Sequence, residues 1–305
     1  MSETLETRGR GSARDMSAGL HARLAHWNHR RFALQTPRAD WRTALEADHT
    51  MRLAEVAFLE RARKAQARRA AAAPRDPDGF VAWFENLKET GPGQGDALFP
   101  WLAERASLEE MRWFVEQEAA GEAGFEDLVA MAQVKAPTAA KLELARNYWD
   151  EMGRGKEKGM HGPMLAELVT AMDVTPAIET TVPQSLALGN VMAGLASNRM
   201  YAYHIIGALG AIELTAPTRA CYVAAGLRRL GIDGRARHYF ELHAVLDVKH
   251  SEEWNKEVFA TIVEETPDVA PFIAEGALMR LQCGADCFVE YRRRLWGGDG
   301  STPPA

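Results

Sequence analysis

The sequence predicts an all-α protein, and three observations carry that prediction. Apolar residues recur at three- and four-residue spacing through nearly every segment. Turn-forming clusters divide those segments at GPGQG (91–95), GRG (153–155), TAP (215–217), LGIDG (230–234) and TPD (266–268). No stretch alternates apolar and polar residues as a half-buried strand does, and no fixed-period repeat is present.

Taken in order, residues 1–20 are Gly, Ser, Arg and Glu with little periodicity, and disorder is expected there. A helical N-terminal extension follows over 21–74. Its pattern is clearest in WRTALEADHTMRLAEVAFLERARKAQARRA, where the basic end, Arg61, Arg63, Lys64, Arg68 and Arg69, complements the helix dipole without a nucleic-acid partner. Pro74, Asp76, Pro77 and Asp78 break the chain and cap the next helix. The main bundle is expected over 75–297, with helices at 78–90, 95–105, 107–133, 137–152, 161–172, 183–197, 199–214, 217–230, 234–265 with a break near 250, and 268–296. A disordered tail, 298–305, ends the chain.

Composition narrows the function classes. The 305 residues are 47% hydrophobic and 26% charged, ordinary for a globular protein with a substantial core. The net charge of −6 argues against nucleic acid and anionic membranes as partners. No apolar run reaches the roughly 18 residues of a membrane span, and MSETLETRGRGSARDMSAG lacks the apolar core of a secretory signal. Cys221, Cys283 and Cys287 form no CxxC pair and read as small buried hydrophobes, which fits a reducing cytoplasm.

The segment HAVLDVKH places His243, Asp247 and His250 among Val245, Leu246 and Val248. On a helix, steps of about 100° put Asp247 at about 40° and His250 at about −20° from His243, so all three share one face with axial steps of about 4.5–6 Å. That geometry suits two metal ions about 3.5–4 Å apart better than one tetrahedral ion. A polar stripe facing water is the competing interpretation, which the surrounding Phe240, Leu242, Val245, Leu246 and Val248 disfavour. A second stretch, RNYWDEMGRGKEKGMHGPML, puts Glu151 just before the glycine break and His161 ten residues later, so a carboxylate ending one helix can meet an imidazole starting the next.

Together the two stretches resemble the heme-oxygenase-like diiron oxidases, also called iron-containing redox enzymes. The likeness rests on Asp150-Glu151-Met152-Gly153-Arg154-Gly155, Met160-His161, and His243/Asp247/His250, with NRMYAYHIIGALGAIELTAPTRACYVAAGLRRLGI similar to the family's helix pair. It covers roughly 105–297 and implies a heme-oxygenase-like helical bundle. It also implies six ligands, three carboxylates and three histidines: Glu151, His161, His243, Asp247, His250 and a Glu on an earlier helix. EQEAAGEAGFEDL offers that last one. Glu118, Glu122 and Glu126 fall at i, i+4 and i+8 on one helical face, and Glu122 fits the family register best, with Glu118 and Glu126 as alternatives.

Such a set suits iron. The resemblance implies two Fe(II)/Fe(III) ions, O2 as co-substrate, and N-oxygenation, desaturation or C–C cleavage of a small organic molecule, with one iron weakly held. A homodimer is left open. The alternative is a non-catalytic metal- or partner-binding helical protein. Heme degradation needs one proximal His rather than a cluster, and a ferritin-like centre would show paired E-x-x-H motifs, which are not at these positions. His238 lies off the ligand face, His204 reads as a core or pocket residue, and His21, His26, His29 and His49 as surface residues. Arg199, Tyr201, Tyr203 and Glu213 lie on pocket-lining helices, with packing as their default role.

Overall fold

The computed structural model describes residues 19–122 and 124–304. Among them there is no strand; the one β-bridge, Met152 with Met160, lies in a loop. Most of the expected disordered N-terminus falls outside the described residues, and residues 19 and 20 already belong to helix α1, over 19–32.

Helix α2 (Trp41–Ala70) packs against the last helix of the bundle. Asp76 caps α3 (Pro77–Glu85), its carboxylate accepting from Gly79 N–H at 2.8 Å, with Pro77 opening the first turn. Short α4 (Leu87–Thr90) and α5 (Leu98–Glu104) follow. A reciprocal capping box between Ser107 and Glu110 starts α6 (Leu108–Gly121).

The expected single helix over 107–133 is two helices, α6 and α7 (Phe125–Ala132), because Gly124 adopts φ +72° and Glu122 an extended conformation. The continuous stripe predicted for Glu118, Glu122 and Glu126 is therefore interrupted. Helices α8 (Thr138–Glu151), α9 (His161–Ala171) and α10 (Pro183–Ser197) lie where the pattern puts them.

The TAP cluster does not end a helix. α11 runs unbroken over Ala202–Arg229 with Pro217 inside it. Proline removes one N–H and crowds the preceding turn, at a cost of about 3 kcal/mol. Ile205, Leu209, Leu214, Val223 and Leu227 are all buried along this helix, and that packing outweighs the local preference. Helix α12 (Gly234–Glu253), capped by Asp233, does not break near 250. It passes into a π-helical turn, Trp254–Phe259, and then α13 (Ala260–Glu265). α14 (Ala270–Trp296) completes the bundle.

The backbones of α11 and α14 touch. A Cβ on Gly207 would overlap the Ile273 carbonyl, and one on Gly276 would overlap the His204 carbonyl, so only glycine permits this crossing. Two apolar clusters form the core. One centres on Trp254, Phe259, Phe84 and Phe80, the other on Phe99, Phe114, Phe288 and Tyr291. The functional site lies between them, lined by members of both.

Candidate metal centre

The glycine turn after α8 does what its sequence suggests. Gly153 has φ +60°, and its Cα lies against the backbone of Gly159, where any side chain would collide. With the Met152–Met160 bridge, this closes the loop and brings Glu151 Oε2 to 2.5 Å from His161 Nδ1. Helix α12 supplies the other half. The His161 and His243 rings approach to 4.6 Å between centroids. Asp247 and His250 are both buried one and two turns further along, while His238 is exposed off this face.

Donor atoms gather into two overlapping groups. Glu151, His161 and His243 place one ligand atom each within 4.8 Å of one another, and so do Glu151, Glu213 and His250. Glu151 belongs to both. Glu213, taken from the sequence as a packing residue, is thus a missed member of the site. It had a signal: it is the only charged residue between Met200 and Thr218, in an otherwise uncharged helical run. A lone carboxylate there requires a partner.

Electrostatics favour a cation. Burial and then the charge of Glu213 push the Glu151 carboxyl well above its usual range, and the same two causes act on Asp247. Burial lowers His161 and His243 to about 4, leaving neutral imidazoles with lone pairs to donate. Burial also opposes charge on His250, but Glu213 and Asp150 outweigh it and raise it to about 9.

Several side chains are already oriented. His243 Nδ1–H donates to the Tyr239 carbonyl at 2.6 Å, which frees Nε2. His250 Nε2 sits 3.2 Å from Asp150, and Nδ1 faces Glu213 at 3.4 Å. Asn147 donates to Glu213 at 2.6 Å. By contrast Glu151 Oε2 and His161 Nδ1, though 2.5 Å apart, are not aligned as a hydrogen bond, and His161 Nε2 and Asp247 Oδ1 are buried without a partner. Orphaned carboxylate and imidazole atoms aimed at one another are what metal ligation would satisfy, so the residues fit iron.

Glu122 lines the cavity beside this cluster but joins neither group. Burial and the charge of Glu126 raise its carboxyl. Glu126 also lines the cavity, its Oε1 3.2 Å from where a Cβ on Gly162 would stand, next to His161. Its charge acts on Glu151 more strongly than that of Glu122. Glu118 is directed elsewhere, accepting from Tyr291 Oη at 2.9 Å. Glu122 also lines a second cavity, of about 560 Å³, walled in part by Asn28 and Phe32 of α1.

The remaining expectations divide. His204 is a satisfied core residue, 3.0 Å from Glu275. His26, His29 and His49 are exposed, but His21 is buried, because α1 lays its ring edge-on against Phe58 at 4.8 Å. Of the cysteines, Cys287 is buried and Cys283 half-buried, whereas Cys221 is exposed on the outer face of α11. Arg199 donates to the Met131 and Val134 carbonyls, and Tyr201 to Glu60, so both are structural.

The site is thus a set of buried carboxylates and imidazoles converging on a cavity in an all-α bundle, a donor set that could hold metal ions. The family model described as iron-containing redox enzyme matches residues 112–285, more than half of the chain, and the protein belongs to that family. Membership gives the coarse function, an iron-containing oxidoreductase. No curated protein matches the chain. No helix among the described residues is long and apolar enough to cross a membrane.

Proposed function

We propose that the protein is a non-heme diiron oxidase or oxygenase that uses O2 to oxidise a small organic molecule by N-oxygenation, desaturation or C–C cleavage, in the cytoplasm. The observation that carries this reading is the sharing of Glu151 between two ligand groups, one with His161 and His243, the other with Glu213 and His250. One carboxylate common to two sets of donors is the arrangement two adjacent cations require.

Glu151, His161 and His243 would hold one iron, and Glu151, Glu213 and His250 the other. Asp247, on the same face of α12 but in neither group, and one of Glu122 or Glu126 would bring the candidate donors to seven, one more than the six the resemblance implies, Glu213 being the addition. Bound there, a ferrous pair supplies the electrons for reducing O2. The chain's own residues do the rest. The Tyr239 carbonyl fixes the His243 tautomer, and Asp150 fixes the His250 ring. Asn147 holds Glu213. The cavity encloses about 210 Å³ and is walled largely by apolar side chains such as Phe125, Leu165, Leu188 and Phe240, which exclude bulk water from the reacting atoms. That volume is below the roughly 300–1,000 Å³ of drug-sized pockets and restricts the substrate to a small molecule.

The test is anaerobic Fe(II) titration followed by O2. Two irons per chain and oxygen consumption are expected, and a metabolite screen then identifies the substrate. One iron at saturation, or loading of two without oxygen uptake under any screened substrate, would favour the non-catalytic metal-binding alternative. Hemin titration should give no Soret shift.

A further inference from the structure

The metal cavity contains two arginines that the metal chemistry does not use. Arg219, on α11, and Arg280, on α14, both line it. Among the described residues neither has a carboxylate within 4.0 Å, whereas several half-buried arginines elsewhere do, such as Arg31 with Glu55, Arg63 with Glu60 and Arg292 with Asp96. Arg219 donates once, to Thr215 Oγ1 at 3.0 Å, and its guanidinium lies 5.5 Å from the Phe288 ring centre. Arg280 donates to no described residue, and its buried Nε is orphaned. Burial, followed by repulsion from Arg280, pushes Arg219 down to about 9. A guanidinium stays protonated at neutral pH, so its burial here is a cost that Glu118, acting at longer range, offsets only in part.

The local acid does not neutralise the pair. Glu118 is engaged by Tyr291 Oη at 2.9 Å, and that hydroxyl also lies 2.7 Å from Ser185 Oγ. Glu118 and Glu122 act on the guanidiniums only at longer range, since neither carboxylate comes within 4.0 Å of them, and the pair is left without a direct ion-pair partner. The helices are shaped around the pair. A Cβ on Gly284 would stand 3.0 Å from Arg280 Nη1, so the glycine one turn along α14 leaves room for the guanidinium head. On α11, Ala216 and Ala220 flank Arg219 on the cavity side, where larger side chains would fill the space.

From this geometry we infer that Arg219 and Arg280 are the substrate-recognition pair, and that the substrate is a small organic monocarboxylate whose acid group binds between them while its apolar body lies along Phe114, Val223 and Phe288. The inference rests on the oxidase reading for the word substrate, but the anion site itself does not depend on the irons. The carboxylates of the metal cluster repel an acid group, and the arginines attract it. The molecule is thereby bound in one orientation, with its chain rather than its head presented to the oxidising centre.

The probe is octanoate against octanamide, titrated calorimetrically into the full chain under anaerobic conditions, with and without Fe(II). Octanoate should bind in both states, with octanamide at least tenfold weaker. Arg219→Gln and Arg280→Gln should each weaken octanoate by tenfold or more while leaving iron stoichiometry unchanged. Because neither guanidinium has an ion-pair partner within the fold, each substitution should leave Tm little changed, which loss of a structural arginine would not do. Absence of octanoate binding, equal affinity for the amide, or wild-type affinity in both variants would overturn the inference. Octanoate binding that needs Fe(II) would do so too, since it would place the acid on the metal. Failure of the diiron reading shows separately, as iron stoichiometry below two with the arginine dependence intact.

Discussion

Asp150 and Glu151 are adjacent in sequence but contact different histidines of the cluster: Glu151 Oε2 meets His161 at 2.5 Å, while Asp150 Oδ2 lies 3.2 Å from His250 Nε2, a hundred residues away in the chain. The last turn of α8 thus supplies one candidate donor and orients the ring of another. Asp150→Ala should lower Fe(II) affinity about 10–100-fold without removing a ligand. Arg154→Ala, which frees only the exposed partner of Asp150, should lower it far less. Equilibrium Fe(II) titration distinguishes the two, and equal effects would rule out a special role for the His250 contact.

Sharing makes Glu151 unlike its neighbours. Glu151→Ala should abolish binding of both irons, whereas His161→Ala and His250→Ala, each in one group, should lower stoichiometry toward one. His243→Ala, in the same group as His161, should likewise lower stoichiometry toward one, Asp247→Ala should lose iron and activity, and His238→Ala neither. Mössbauer spectra of the Fe(II)-loaded, O2-exposed wild type should show a coupled ferric pair. If Glu151→Ala still retains one tightly bound iron, the shared-ligand geometry is wrong.

The remaining carboxylate is decided by a pair of variants. Glu122 fits the family register, and Glu126 reaches Gly162, the residue after His161, and acts more strongly on Glu151. Glu126→Ala should reduce iron stoichiometry toward one and Glu122→Ala should change it less. The opposite order would restore the register-based choice. Glu118→Ala should leave iron unchanged, because its carboxylate is bonded to Tyr291.

His21 makes α1 sensitive to acid. Burial, and secondarily the charge of Arg61, lower it from 6.5 to about 4. Between those values the unfolded chain takes up a proton that the fold excludes. Its contribution is therefore complete above about pH 6.5 and is lost as pH falls toward 4. The gap amounts to on the order of 3 kcal/mol at most. Tm measured from pH 7 to 4 should fall more steeply for wild type than for His21→Leu, and parallel curves would contradict the assignment.

Most helices were legible because their apolar period and caps agree, as at Asp76–Gly79 and Ser107–Glu110. The departures have identifiable causes. Pro217 looked like a terminus because local preference says so, yet burial on both sides of α11 carries the helix through it. The break at Glu122–Gly124 was missed because Gly121 and Gly124 sit inside a sequence whose period is otherwise intact. In the site, the residues with local spacing, Glu151 with His161 and the α12 trio, could be read from sequence alone. Glu213 carried only the weaker signal of a lone carboxylate in an uncharged run, since what brings it to the cluster is the crossing of α11 by α8 and α12, a relationship that local spacing does not encode.

The loop over 152–160 has a consequence for how the chain tolerates change. Arg154, Lys156, Glu157 and Lys158 point outward, and surface loops of this kind ordinarily accept insertions with little penalty. Here the contact of Gly153 with Gly159 and the bridge between Met152 and Met160 make the loop a fixed-length clasp. Its outward side chains are free to drift, but its residue count is not. In a library of single-residue insertions, this segment should behave like buried core: an extra residue would leave α8 and α9 intact as helices while separating the carboxylate that ends one from the imidazole that begins the other.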